Sequence, residues 1–113
     1  MSRVFIIEPP SVNVAMAESF GKLIVLFKDG LKISPLDSDF YAGAIIEALE
    51  EVDYDPKVDL ICVVGPLSSM WVVGAALCTR FGPFQSLIFN GSRGQYVRRT
   101  VGKWKYTKKW KED

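Results

Sequence analysis

The chain has 113 residues, of which 49% are hydrophobic and 12% aromatic, enough for one cored domain and too few for two. It carries 14 Lys and Arg, 13 Asp and Glu, and no histidine. The missing histidine excludes catalytic triads built on that residue and weakens any zinc site. Charged residues also interrupt every apolar run before it reaches the roughly 18–20 residues of a membrane span. We therefore expect a single domain over residues 1–113, without metal, cofactor or membrane segment.

Two further sequence features indicate the compartment. Cys62 and Cys78 have no metal-ligand spacing and are typical of small buried hydrophobic residues. The N-terminal apolar run is cut short by Glu8 and two prolines, unlike the long apolar stretch of a secretory signal. A soluble, cytoplasmic protein is expected.

The first predicted element is a strand over Arg3–Ile7, rich in β-branched and aromatic residues. Ser11 and Asn13 follow it and can each cap a short apolar segment over 14–20. Gly21 is placed to end that segment as a left-handed cap.

A second strand and a first long helix come next. Lys22–Lys28 encloses five consecutive apolar residues and predicts a strand. From Ser38 to Val52 the apolar positions recur at helical spacing. The acidic residues there are typical of a solvated helix face rather than an acid–base pair; they are Glu47, Glu50, Glu51 and Asp53.

The third predicted strand, Val58–Val64, runs into Gly65 and then into a helix capped by serine over Ser69–Phe81. Turns of this kind present backbone N–H groups to anions at the carboxyl end of a sheet. The helix has no charge before Arg80, so it must be covered on more than one side. A second copy of the chain is the expected cover, with Gly74, Ala75 and Cys78 allowing close approach. The alternative is burial between the sheet and the first helix.

Two last strands, over 84–89 and 95–101, are joined by five turn-forming residues with Arg93 at the apex. The order of elements predicts an α/β fold: a mixed central sheet of four to five strands flanked by helices, with a C-terminal hairpin.

Charge is divided unevenly along the chain. Residues 84–113 hold eight basic residues and two acidic ones, a net charge of +6, whereas residues 1–83 have a net charge of −5. Over 103–111 lysines alternate with aromatic residues, a pattern that offers ammonium groups for phosphates and flat faces for bases. An anionic, nucleotide-like ligand is the first hypothesis. The alternative is a solvated final strand.

Three polar clusters stand on connections between elements. If the first and third strands are parallel neighbours, the first two clusters share one edge of the sheet, and the basic C-terminal part could complete a phosphate site. Each cluster also has a plain structural interpretation, as a helix cap or a tight turn. The candidate ligand-binding residues are Ser11, Asn13, Gly65, Ser68, Ser69, Arg93 and Lys103.

Two short stretches resemble a known family. Val4-Phe5-Ile6-Ile7 followed by Ser11-x-Asn13, and Val63-Val64-Gly65 opening a helix of small residues, are similar to the small ring nucleases of type III CRISPR signalling and their viral counterparts. The resemblance implies an antiviral-defence dimer that binds cyclic oligoadenylate in a cleft across its two-fold axis, and in some members cleaves it without metal. In the viral branch a catalytic histidine follows the glycine that matches Gly65. Pro66 stands there in this chain, so the resemblance implies binding and leaves cleavage open.

The leading hypothesis assigns ribose and base edges to Ser11 and Asn13, phosphate to the backbone amides of 65–69, and closure over the ring to Arg93 or Lys103. A slow, metal-independent cleavage remains an alternative to sequestration. Two other hypotheses are a protein-interaction subunit that docks through the helix beginning at Ser69, and a module for single-stranded RNA or DNA. The nucleic-acid module would stack bases on Trp104, Tyr106 and Trp110.

Overall fold

The protein is built around one five-stranded sheet. A computed structural model describes residues 2–103, and within them the strands lie in the order β2-β1-β3-β4-β5. The first four strands are parallel to one another, and β5 is antiparallel to β4. The predicted mixed α/β sheet with a C-terminal hairpin is thus confirmed. The strands are β1 Arg3–Ile6, β2 Lys22–Val25, β3 Leu60–Cys62, β4 Phe84–Asn90 and β5 Gln95–Val101.

The centre of the sheet is apolar on both faces. In β1 three of four residues are buried, and all three residues of β3 are buried. Val4 pairs with Leu60 and Phe5 with Ile61 across the two strands. Strands in the middle of such a sheet are buried on both faces and therefore have continuous apolar sequences. β1 and β3 have this pattern, which fits their central position.

Two helices cover one face of the sheet. They are α1 (Ser38–Glu51) and α2 (Leu67–Phe81), and they pack on each other and on the same core. Each helix lies between two parallel strands in the chain, so each runs back from the edge where the strands end. Within residues 2–103, neither helix is long and apolar enough to cross a membrane. The buried core on this face comprises Phe5, Ile7, Tyr41, Ile45, Leu49, Tyr54, Ile61, Val73, Leu77 and Phe84.

The other face carries a thinner cover. The predicted apolar segment after β1 forms a 3₁₀ helix, Ala15–Phe20, rather than an α-helix, and its Ala17 is fully buried. At six residues it is longer than the usual 3₁₀ run of about three or four residues. A second buried cluster lies beneath it, formed by Val4, Ile6, Ala17, Leu60, Cys62, Leu87 and Tyr96.

The serine cap predicted for α2 is wrong. The helix begins two residues earlier, at Leu67, with Pro66 in extended conformation at the N-cap and no side-chain capping bond. Ser69 is therefore in the first helical turn, where it is 97% buried, since its exposed fraction is 3%. The helix ends as predicted, at Phe81 before Gly82.

A buried ion pair fixes the start of β1 to the segment that leads into β3. Asp59 is 2% exposed and accepts hydrogen bonds from Arg3 Nη2 (2.8 Å), Arg3 Nε (3.2 Å) and the backbone N–H of Asp55 (2.9 Å). Arg3 also donates to the carbonyls of Val52 and Asp53 at the end of α1. One guanidinium thus ties a helix end and two strands together.

We predict that Asp59→Asn lowers the free energy of unfolding by about 1.5–3 kcal/mol at pH 7, because it weakens the charged hydrogen bonds between the buried Asp59 and the partly exposed Arg3. Urea unfolding measures this change. Glu50→Gln is the control, since Glu50 pairs with Arg80 where both side chains are about half exposed. It should cost less than about 1 kcal/mol.

The pH dependence follows from the same contacts. Burial raises the pKa of Asp59, but the bonds from Arg3 and the Asp55 N–H outweigh it, so the net pKa lies below its ordinary value. A carboxylate of this kind stabilises the fold above the unfolded pKa of about 3.9, and the contribution disappears as pH falls through the lower folded pKa. The difference in free energy of unfolding between wild type and Asp59→Asn should therefore become smaller below about pH 4. A difference that became larger there would contradict this assignment.

Candidate ligand-binding site

The loops that leave β1 and β3 lie at the same edge of the sheet. β1, β3 and β4 are parallel, so their ends meet at one edge, which we call the carboxyl edge. Ser11 and Asn13 follow β1, and Gly65 follows β3. The structure brings these three residues to one cavity of about 560 Å³, called the rim cavity below. It is lined by Ser11, Val12, Asn13, Val63, Val64, Gly65, Pro66, Phe89 and Tyr96.

The rim cavity has a neutral lining. Among the described residues that line it there is no lysine, arginine, aspartate or glutamate. Its size falls in the range of about 300–1,000 Å³ typical of small-molecule sites. An apolar wall with a few polar groups is the usual composition of such sites, and it suits a flat, weakly polar group better than a bare anion.

Polar groups approach the rim cavity from two sides. Asn13 accepts a hydrogen bond from the backbone N–H of Ala15 (2.9 Å) through Oδ1, so its Nδ2 donors remain for a ligand. On the other side, α2 starts directly after Gly65 and Pro66, and its first intrahelical bond is donated by Met70 to Pro66. The preceding amides, at 67–69, therefore have no carbonyl within the helix. They offer N–H groups beside the neutral wall.

An aromatic pair forms one wall of the rim cavity. Phe89 on β4 and Tyr96 on β5 face each other in the hairpin, with ring centroids 5.3 Å apart and an edge-to-face angle of 70°. Phe89 is half exposed, whereas Tyr96 is buried against Cys62. Burial raises the pKa of the Cys62 thiol and of the Tyr96 hydroxyl. Sequence reasoning missed this wall, because the five-residue turn that it predicts pairs Phe89 with Gln95. In the structure the turn has four residues, 91–94, and this register places Phe89 opposite Tyr96.

Ser68, Ser69 and Arg93 lie near the rim cavity without lining it. Ser68 is exposed on the first turn of α2, and Arg93 is exposed at the hairpin tip beyond the end of β4, at the carboxyl edge. Ser69 is buried next to the hydroxyl of Tyr41, and that hydroxyl donates to Glu8 (3.1 Å). Ser69 therefore supports the α2 turn from beneath instead of facing a ligand.

Lys103 lies at the wrong edge for the role that the sequence suggested. β5 runs antiparallel to β4, and its last residue, Val101, pairs with Phe84 at the start of β4. The chain therefore reaches Lys103 at the edge opposite to the rim cavity. The aromatic residues expected to stack bases, Trp104, Tyr106 and Trp110, lie outside the described residues.

No family model and no curated protein matches this chain. Within residues 2–103, no group of three or more acidic or cysteine side chains is placed to hold a metal ion. The chemistry available at the rim cavity is therefore neutral hydrogen bonding, aromatic contact and helix-end amides.

The thiol beneath the rim cavity provides a test of its geometry. In a Cys78→Ser background, we expect native Cys62 to react with iodoacetamide at pH 8 at least about tenfold more slowly than in urea, because it is buried and its pKa is raised. Tyr96→Ala should expose the Cys62 thiol to the rim cavity and raise its rate of reaction with iodoacetamide. Val97→Ala, on the opposite face of β5, should change it little. Equal rates for the two variants would refute the placement of Tyr96 over Cys62.

Proposed function

We propose that this protein is a cytoplasmic homodimer that captures a cyclic oligoadenylate second messenger of type III CRISPR signalling. The observation that carries the proposal is the rim cavity itself, where the loops after β1 and β3 meet an aromatic wall and the amino end of α2. Each part of an adenylate has a matching group there.

Each part of the ligand is assigned to one side of the rim cavity. An adenine stacks on the half-exposed ring of Phe89, which offers a flat apolar face beside Tyr96. Asn13 and Ser11 hydrogen-bond the ribose or the base edge. The phosphate lies at the amino end of α2, where the helix dipole and unpaired amides favour an anion. Arg93 supplies a cation from the hairpin tip.

Capture is favoured over cleavage by the chemistry of the lining. General-base cleavage of a ribose phosphodiester needs a group that takes the 2′-hydroxyl proton. Among the described lining residues Tyr96 is the one ionisable side chain, and burial raises its pKa further from neutrality. We therefore assign sequestration to the rim cavity.

An exposed apolar patch supports the homodimer. Helices α1 and α2 both begin at the carboxyl edge, and large apolar side chains around their amino ends are exposed to solvent. Trp71 lines a groove of about 430 Å³ between the two helices, together with Ala42, Ala75 and Ala76. Large exposed apolar side chains at one end of a helix pair are typical of an interface. The patch consists of Leu36, Phe40, Leu67 and Trp71, exposed by 89%, 69%, 76% and 76%.

A second copy packed on this patch would bring two rim cavities close together, because Leu67 directly follows Pro66 of the lining. A ring of several nucleotides is larger than one such cavity. Two cavities related by a two-fold axis suit a cyclic ligand, since the two halves of the ring meet identical surfaces.

Calorimetry with cyclic tri-, tetra- and hexa-adenylate tests the ligand. We expect binding heat with at least one ring, and an affinity at least about tenfold weaker for Asn13→Asp, which keeps the acceptor for Ala15 and adds a charge that repels phosphate. Ser19→Asp is the matched control, because Ser19 lies in the 3₁₀ helix near the opposite edge. It should bind like the wild type. No heat with any ring would overturn the proposal.

Sedimentation equilibrium tests the dimer. Trp71→Glu should weaken self-association at least about tenfold, because it places a charge in an apolar interface. Val58→Glu changes another exposed apolar residue to the same acid, near the start of β3, and should leave the dimer intact. A wild-type chain that stays monomeric at high concentration would contradict the homodimer and favour a different protein partner.

A further inference from the structure

The β4–β5 hairpin presents a second surface, which shares only its Phe89 end with the rim cavity. Side chains alternate between the two faces of a strand, so the face opposite α1 and α2 carries every second residue of the hairpin. Phe89 pairs with Tyr96 at the carboxyl edge, Leu87 with Arg98 in the middle, and Gln85 with Thr100 near the opposite edge. Leu87 and Tyr96 are buried, so we call the remaining line of Phe89, Arg98, Gln85 and Thr100, together with Lys103 beyond it, the hairpin track.

The hairpin track is cationic and lacks acidic residues. Of the four basic side chains in residues 84–103, Arg98 and Lys103 belong to the track, and this segment contains no aspartate or glutamate. Neither ion pair found within residues 2–103 involves this segment, since one joins Arg3 to Asp59 and the other Arg80 to Glu50. At the far end, Lys103 and Lys57 line a cavity of about 350 Å³ with Gln85 and Thr100. The positive charge is therefore not neutralised by described carboxylates of the hairpin.

Hydrogen bonds arrange the middle of the track. Arg98 donates from Nε to Oε1 of Gln85 (3.3 Å), and Gln85 donates from Nε2 to Oγ1 of Thr100 (3.0 Å). These contacts direct the guanidinium along the strands and occupy only its Nε. The terminal nitrogens of Arg98 have no hydrogen bond to another described residue, and they form the fork that suits a phosphate.

We infer that the hairpin track binds single-stranded nucleic acid, as a function beyond the capture proposed for the rim cavity. The half-exposed ring of Phe89 at one end offers a stacking surface for a base. Arg98, Lys57 and Lys103 follow along the track as phosphate contacts. A seven-residue strand is about 20 Å long, and sheet surfaces of this kind hold about two or three bases. The track thus accommodates about three nucleotides.

Fluorescence anisotropy with labelled single-stranded RNA and DNA octamers tests the track in the full chain. Arg98→Gln and Arg99→Gln are a matched pair, because they remove the same charge from neighbouring positions on opposite faces of β5. We expect Arg98→Gln to weaken binding at least about fivefold and to lower the slope of log affinity against log salt by about 0.7. Arg99→Gln should change affinity less than about twofold.

The contrary results are equally specific. Equal losses of octamer affinity in Arg98→Gln and Arg99→Gln would show that net charge or residues 104–113 govern binding. That result would contradict binding along the hairpin track. Absence of octamer binding by the wild type would overturn it as well. Competition by an acidic peptide of equal charge as effective as competition by an unlabelled octamer would reduce the surface to a general anion site, which contradicts stacking.

The two proposals fail independently. Asn13→Asp, which disrupts the rim cavity, should weaken octamer binding much less than cyclic oligoadenylate binding, because Asn13 lies near only the Phe89 end of the track. Arg98→Gln should leave the calorimetry with cyclic oligoadenylates unchanged, because Arg98 does not line the rim cavity. Phe89 belongs to both surfaces and is therefore not used to separate them.

Discussion

The structure depends on the parallel pairing of β1 with β3. This pairing puts two separate loops at one edge, because parallel strands end on the same side. It is stabilised by apolar burial on both faces and by the Arg3–Asp59 pair at the opposite edge, where the strands begin. If the two strands ran antiparallel, the Asn13 and Gly65 loops would lie at opposite ends of the sheet and no shared cavity would form.

The same pairing separates the site into neutral and charged parts. The rim cavity is formed by chain segments that just left the sheet, and these are rich in valine, glycine and proline. The basic residues of the hairpin lie elsewhere: Arg93 at the tip, Arg98 and Arg99 along β5, and Lys103 at the opposite edge. A nucleotide in the cavity is therefore held chiefly by stacking and neutral hydrogen bonds, and by cations only at its periphery.

Much of this fold could be predicted from the sequence, because apolar runs and turn residues specify strands and their ends. The order of elements follows from those patterns. The shared edge was expected only on the condition that the first and third strands are parallel neighbours, and the structure shows that they are. Strand lengths do not: β3 is only Leu60–Cys62, because Asp59 is engaged by Arg3 and the chain after Val63 leaves the sheet to line the cavity. The start of α2 was misplaced because a serine after a turn is a common cap, whereas here Pro66 takes the N-cap position.

The positions of Lys103 and Trp71 depend on how the elements are arranged in three dimensions. The position of Lys103 follows from one rule, that the second strand of a hairpin returns to the edge where the first began. The exposure of Trp71 does not follow from sequence, since an apolar helix predicts cover without saying which side lacks it.

Native mass spectrometry of the protein mixed with cyclic tri-, tetra- and hexa-adenylate tests the central claim most directly. We expect a species of two chains with one ring, which is lost in Asn13→Asp and retained in Ser19→Asp. A ring on a single chain, or no ring on any species, would contradict it.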